Sequence, residues 1–372
     1  MQKPLPPFSC TYSPNIPELL QQLNCTLAIT TYQAGKVIFL SASGPEDLVQ
    51  LPRNFSKPMG LALKNHQMAI ATKDEIVILA NSPGLAPKYP KQPKTYDGLY
   101  IPRANYYCGE VDIHDMSWGD EGLWAVNTRF SCIALINDEY SFTPKWQPNF
   151  ISKLAPEDRC HLNGMAMENG APKYVTALGN TDTLEGWRDN KIEGGILMDI
   201  PSKEIIVQGL GMPHTPRLYD EKLYALLSAT GELICVDVEK GNYEVVNRFD
   251  GFVRGMAKLD DYLFIGLSKL RPKSSAFRDL PIAKRSIYCG IVVIYLPKGS
   301  LVGYIKYENS VEELYDVQII PEFRRPGLLS PMKGEHKYAL TLPNDDFWAV
   351  TNPPEEQTQT VQPDPSSADP QS

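Results

Sequence analysis

Short apolar stretches separated by Gly, Asn, Asp and Pro fill the chain from about residue 27 to residue 350. Their alternating texture reads as β-strand, and the frequent breakers exclude long helices. Helical spacing stands out early and only briefly. Ile16, Leu19, Leu20 and Leu23 share one face of IPELLQQL (16–23), with Asn15 placed to cap it. Directly afterwards TLAITTY and KVIFLSA flank QAG, the signal of a hairpin.

One unit recurs along the chain: a polar or bulky lead residue, a short apolar strand, a turn and a second apolar strand. Its instances are KPMGLAL-KNHQMAIAT from Lys57, HDMSW-GDEGLWAVNT from His114 and HLNGMAM-ENGAPKYVTAL from His161. They continue as HTPRLY-DEKLYALLS from His214, FVRGMAK-LDDYLFIGLS from Phe252 and ELYDVQII from Glu313. Successive leads lie 38 to 61 residues apart, the span of four-stranded propeller blades with insertions. Six leads predict an all-β, six-bladed propeller in one domain (27–350). The strands near 27–42 complete the last blade and close the ring, which removes exposed sheet edges. A two-sheet sandwich shares the strand pattern, but the repeat period favours the ring. Residues 1–26 read as an N-terminal segment carrying the short helix. The tail 351–372 is acidic and nearly free of apolar residues, so it reads as disordered.

The quoted segments LWAVNTRFSCIAL, WQPNFISKLAPEDRCHLNGMA, YVTALG with GWR, MPHTPR and FVRGMA together resemble a family of conserved hypothetical proteins built on a domain of unknown function. The resemblance runs from about residue 30 to 317 and implies a propeller-like fold without an assigned activity. A fainter likeness, of architecture alone, is to the six-bladed gluconolactonase and senescence-marker type, which holds a divalent cation in its channel.

Composition narrows the partners. A net charge of −8 with a pI near 5.3 speaks against a nucleic-acid surface. The longest apolar run, GIVVIYL (290–296), is far too short for a membrane span. MQKPLPPFSC lacks the charged-then-apolar pattern of a signal peptide. Seven singly scattered cysteines indicate neither a zinc ribbon nor a disulfide framework. The expectation is a cytoplasmic protein whose cysteines act as small hydrophobes.

Chemistry concentrates where the leads converge. Of five histidines, His114, His161 and His214 open three consecutive units, and Glu313 opens the last. Imidazoles and a carboxylate converging on a channel suit one divalent metal ion, with positions left open for water and substrate. His161 and His214 are the candidates for acid–base work. Asp115, Asn163, Arg217, Arg254 and Asp316 follow the leads closely. The two arginines suit an anionic group on a ligand, or else pair with Asp115, Asp316 or Glu313. A metal site, a metal-free polar pocket and a merely hydrated channel all remain open. Two loops also attract interest: the Tyr- and Pro-rich 89–110 as a lid, and 267–285 as a basic patch. Trp187, in the polar loop 180–191, caps a ligand site or packs its loop down. The function expected is binding of a small polar or anionic molecule at the channel mouth, with metal-dependent hydrolysis, elimination or isomerisation as its catalytic form. The competing function is a non-catalytic scaffold that presents loops to a protein partner.

Overall fold

A computed structural model describes residues 4–270 and 277–349. Six four-stranded antiparallel sheets make up the ring. Blade one runs outward from Leu61–Lys64 through Gln67–Ala71 and Glu75–Asn81 to Leu99–Tyr107. Blades two to five begin on the inner strands Ile113–Gly119, Leu162–Glu168, Pro213–Tyr219 and Phe252–Leu259. Blade six joins the two ends of the chain. Its inner strand Asp316–Pro321 pairs with Cys25–Thr31, and Lys36–Ala42 and Leu48–Asn54 follow outward. The expected closure by N-terminal strands is therefore present. The hairpin across QAG turns at Gly35, whose φ of +60° suits a residue without a Cβ.

Two further strands fasten the ends. Cys10–Tyr12 adds an outer edge to blade five, and Gly327–Leu328 pairs in parallel with blade one. The helix Ile16–Gln22 packs Ile16, Leu19 and Leu20 into the core shared by blades five and six. Asn15 does not cap it: its side-chain amide donates to the Val302 carbonyl at 3.1 Å instead. The segment from Cys10 onward is thus bound into the ring, and the boundary drawn before residue 27 falls inside the strand Cys25–Thr31.

The core is divided into layers between neighbouring blades. Phe39 and Leu61 meet between blades six and one, Ile76 and Met116 between one and two, and Val126 and Met165 between two and three. Leu197 and Leu223, then Leu226 and Ile265, continue the series. Sheet faces buried on both sides explain why these strands read as near-continuous apolar runs. All seven cysteines are free, and five are buried. Burial pushes the Cys132 thiol up to about 12, as a small hydrophobe requires. Among the described residues, no helix is long and apolar enough to cross a membrane. The expected disordered tail lies outside the described residues.

Candidate functional site

The inner strands start at one mouth of the channel, in six equivalent tetrads. Contacts between neighbouring blades fix the register. A Cβ on Gly60 would stand 3.2 Å from Cα of Asp115, one on Gly164 2.9 Å from N of Thr215, and one on Gly255 2.7 Å from Cα of Asp316. Glycine in one blade therefore faces Asp or Thr in the next. The tetrads are Lys57–Gly60, Asp112–Asp115, His161–Gly164, Met212–Thr215, Phe252–Gly255 and Glu313–Asp316. The lead position expected to hold three histidines holds His161 alone. His114 and His214 stand two residues deeper, level with Met59, Asn163, Arg254 and Tyr315. Residues two apart on a strand share a face, so the histidines still reach one cavity.

Four lead residues, Lys57, Asp112, His161 and Met212, have φ between 45° and 58°. Such left-handed backbone costs a non-glycine residue about 1 kcal/mol or more and is held only where the surroundings impose it. In two blades its product is visible. Turning the lead residue aims its carbonyl at the imidazole two positions on: Nδ1 of His114 lies 3.1 Å from the Asp112 carbonyl, and Nδ1 of His214 lies 2.9 Å from that of Met212.

The cavity at this mouth has a volume of about 610 Å³. Its polar wall includes His114, His161, His214, Arg254 and Tyr315 together with the acidic Asp112, Glu312 and Glu313, and Trp187, Phe252 and Met59 are on its apolar side. His114 and His161 meet edge to face with ring centroids 4.7 Å apart. His161 donates from Nδ1 to the Asp158 carboxylate at 2.9 Å, and the same carboxylate accepts from Nε1 of Trp187 at 3.0 Å. A carboxylate that fixes an imidazole in this way is the orienting partner that base catalysis employs. Burial pushes His114 down to about 3, with Asp112 opposing and His161 and Arg254 reinforcing. His214 is held well below its ordinary value, by burial first and Arg254 second. Both rings are neutral near pH 7, so His214 accepts hydrogen bonds and has no acidic proton to give.

The other expected site residues have different duties. Arg217 grips Asp115 through two bonds of 2.7 and 2.9 Å and also donates to the Met165 carbonyl. Asp115 accepts from the Met165 amide and Asp316 from the Leu61 amide, each across to a neighbouring blade. Asn163 donates to the Pro213 carbonyl at 2.9 Å and accepts from Thr176. None of these four lines the mouth cavity. At about 3.3 Å per residue, Arg217 is carried away from His214 down the channel, beside a separate cavity of about 200 Å³. The contacts that these polar groups make tie blade to blade.

Among the described residues, no three His, Cys, Asp or Glu side chains are grouped as a metal site would need. Nor is 89–110 a lid. It contains the outer strand Leu99–Tyr107 of blade one, and Tyr89 and Tyr96 pack against each other and near Trp348. Residues 267–285 do reach the mouth, through Lys269, Leu270 and Phe277, while Leu280 and Ile282 anchor beneath Trp187 and Phe252. Arg271 and Lys273 lie outside the described residues. Trp187 both packs its loop down and borders the cavity.

Sequence reasoning missed Asp158, Tyr315, Thr128 and Ser228. Hydroxyls near the end of a blade's second strand lock neighbouring blades: Thr30 donates to Met59 O, Thr128 to Leu162 O, Ser228 to Val253 O and Ser268 to Leu314 O, at 2.5–2.9 Å. Their signal was present, since the repeats LAIT, AVNT, ALLS and GLS all finish on Ser or Thr.

Comparison with known proteins adds the family and no chemistry. The chain is similar to a solved structure described as a nidogen/laminin complex, at 10% identity and a TM-score of 0.49, over 80% of this chain and 99% of that one. It is also similar to the Pan2 WD40 domain of Neurospora crassa, at 10% identity and a TM-score of 0.37, over 66% and 64%. No curated protein matches the sequence. The gluconolactonase likeness is not confirmed. A model of a domain of unknown function, DUF4915, matches residues 14–329, from the short helix to the strand after the last blade, and the chain therefore belongs to the DUF4915 family.

Proposed function

We propose that the channel mouth binds a small organic anion, with Arg254 as the group that takes its charge. The state of Arg254 carries this reading. Its side chain is 13% exposed, it stacks 3.6 Å above the Tyr315 ring, and its nearest carboxylate, Glu313, is 4.0 Å away. It makes no hydrogen bond to any described residue. A guanidinium has five donors in a fixed fork, and leaving them unpaired in a sheltered site is costly. Arg217, the other buried arginine of the channel, has its fork filled by Asp115. Arg254 is the one turned to the cavity. The Tyr315 hydroxyl beside it is buried and has no partner among the described residues. A carboxylate or phosphate would pair with the guanidinium.

The test is calorimetry of the full chain against a panel of small carboxylates and phosphate esters, with Arg254→Gln as the control. Binding by the parent protein that falls at least tenfold in the variant supports the reading. If no anion binds, or Arg254→Gln binds equally well, the anion site is refuted and the scaffold function takes its place.

A further inference from the structure

Arg254 accounts for one end of a ligand, and His114 and His214 decide what the rest of it carries; this inference rests on the anion reading above. Two blades repeat one device. Thr128 lies 2.8 Å from Nδ1 of His114, and Ser228 lies 2.8 Å from Nδ1 of His214. Neither hydroxyl can donate to its ring, because its single proton goes to Leu162 O or Val253 O. Each Nδ1 also faces a carbonyl oxygen, which only accepts. Both rings must therefore carry hydrogen on Nδ1, and the lone pair sits on Nε2, the nitrogen left for a ligand. In His114 and His214 the wall thus presents acceptors, where a general anion pocket would present donors.

That wall selects. A second anionic group would meet lone pairs, and a bare hydrocarbon would bury two acceptors without partners. An ammonium could donate as well, with the Asp112 and Glu313 carboxylates in the same cavity to hold its charge, so amine-bearing twins of the acids are the control that separates it from a hydroxyl. A hydroxyl donates without charge. We propose that the ligand is a small hydroxylated organic anion, its anionic head on Arg254 and its hydroxyl groups donating to Nε2 of His114 and His214. The head is a carboxylate or a phosphate monoester, and the cavity of about 610 Å³ has room for a ligand of several carbons with its waters.

Calorimetry at pH 7.5 with matched probes tests this. Hydroxylated monocarboxylates of two to six carbons are paired with the deoxygenated acids of equal length, and glycerol phosphate is paired with propyl phosphate. At least one hydroxylated probe is expected to bind about tenfold more tightly than its twin, and the head group of that pair identifies the anion. His214→Phe should remove most of the advantage while leaving the twin's affinity within about twofold. His114→Phe, at the equivalent place in another blade, is expected to reduce the advantage in the same way, so the idea stays testable if the first variant folds poorly. If every twin binds as tightly as its hydroxylated partner, the hydroxyl assignment is overturned and the anion reading stands. Folded variants that leave the advantage whole overturn it too. If no probe of either kind binds, the anion reading itself falls.

Discussion

The hydroxyl of Ser228 stands 2.8 Å from Nδ1 of His214 while donating to the Val253 carbonyl at 2.6 Å, so one side chain joins blade four to blade five and, with the Met212 carbonyl, fixes the tautomer of a cavity-lining imidazole. Ser228→Ala removes the interblade bond and one of the two acceptors on Nδ1, and leaves a buried carbonyl short of a donor. A loss of about 1–2 kcal/mol is expected in urea unfolding. Nitrogen-15 spectra of the parent protein should show Nδ1 protonated and Nε2 bare in His214. A parent His214 protonated on Nε2 would contradict the bonding pattern.

Acid sensitivity follows from the same two histidines. His114, pushed down to about 3, and His214, well below its usual value, both titrate near 6.5 once unfolded. Between those limits the unfolded chain binds more protons, so their contribution to stability is complete above pH 6.5 and is lost as pH falls. Each adds up to about 1.4 kcal/mol per pH unit. Asp316 works in the opposite sense over part of this range, because burial raises it despite Arg217. The useful readout is therefore a difference: His214→Gln should unfold with a shallower pH dependence than the parent between pH 6.5 and 5. Equal slopes would mean that His214 is protonated in the folded protein.

The strand pattern, the six units and the closing blade were legible because a buried sheet imposes apolar runs, and turns punctuate them at blade spacing. The level of each residue within the mouth was harder to read. Aligning the units on histidine placed His114 and His214 level with His161, two residues too shallow. Gly60, Gly164 and Gly255 carried the true register in KPMG, HLNG and FVRG, since they are small where a neighbouring backbone approaches. What the sequence could not display is which arginine is spoken for. Arg217 and Arg254 look alike in PHTPR and FVRG, yet only Arg217 meets an aspartate that lies 102 positions away.

That pairing makes Asp115 the most exposed weakness of the ring. Its carboxylate is 6% exposed, and it holds Arg217 and the Met165 amide together. Asp115→Asn strands a buried guanidinium and should cost about 3–5 kcal/mol. Asp115→Asn combined with Arg217→Gln should cost less than the two single changes added together, as measured by urea denaturation. Strict additivity would show that the pair does not act as a unit.

The anion reading asks for no metal at the mouth, and elemental analysis tests it against the divalent ion expected from His114, His161, His214 and Glu313. Protein purified without an affinity tag should carry well under one equivalent of any divalent cation by elemental analysis. Treatment with EDTA followed by desalting should leave affinity for a bound carboxylate within about twofold. A tenfold loss that one cation restores would reinstate the metal expected from His114, His161, His214 and Glu313.

The alternation of glycine with Asp or Thr around the ring gives the last prediction, a difference between two similar changes. Gly255 has φ +73°, and a Cβ there would stand 2.7 Å from backbone atoms of Asp316 and Val317. Gly60 has no positive φ, and its nearest backbone contact would be 3.2 Å. Gly255→Ala therefore meets both a backbone penalty of about 1–2 kcal/mol and a clash of about 1–3 kcal/mol with the inner strand of blade six. Gly60→Ala meets only a tight contact that a shift of a few tenths of an ångström relieves. Thermal and urea unfolding should show Gly255→Ala destabilised by at least about 2 kcal/mol more than Gly60→Ala. Because Arg254 precedes Gly255, the same change should also disturb anion binding, whereas Gly60→Ala should spare it. Equal costs for the two would mean that blades five and six can move apart where the register demands close approach.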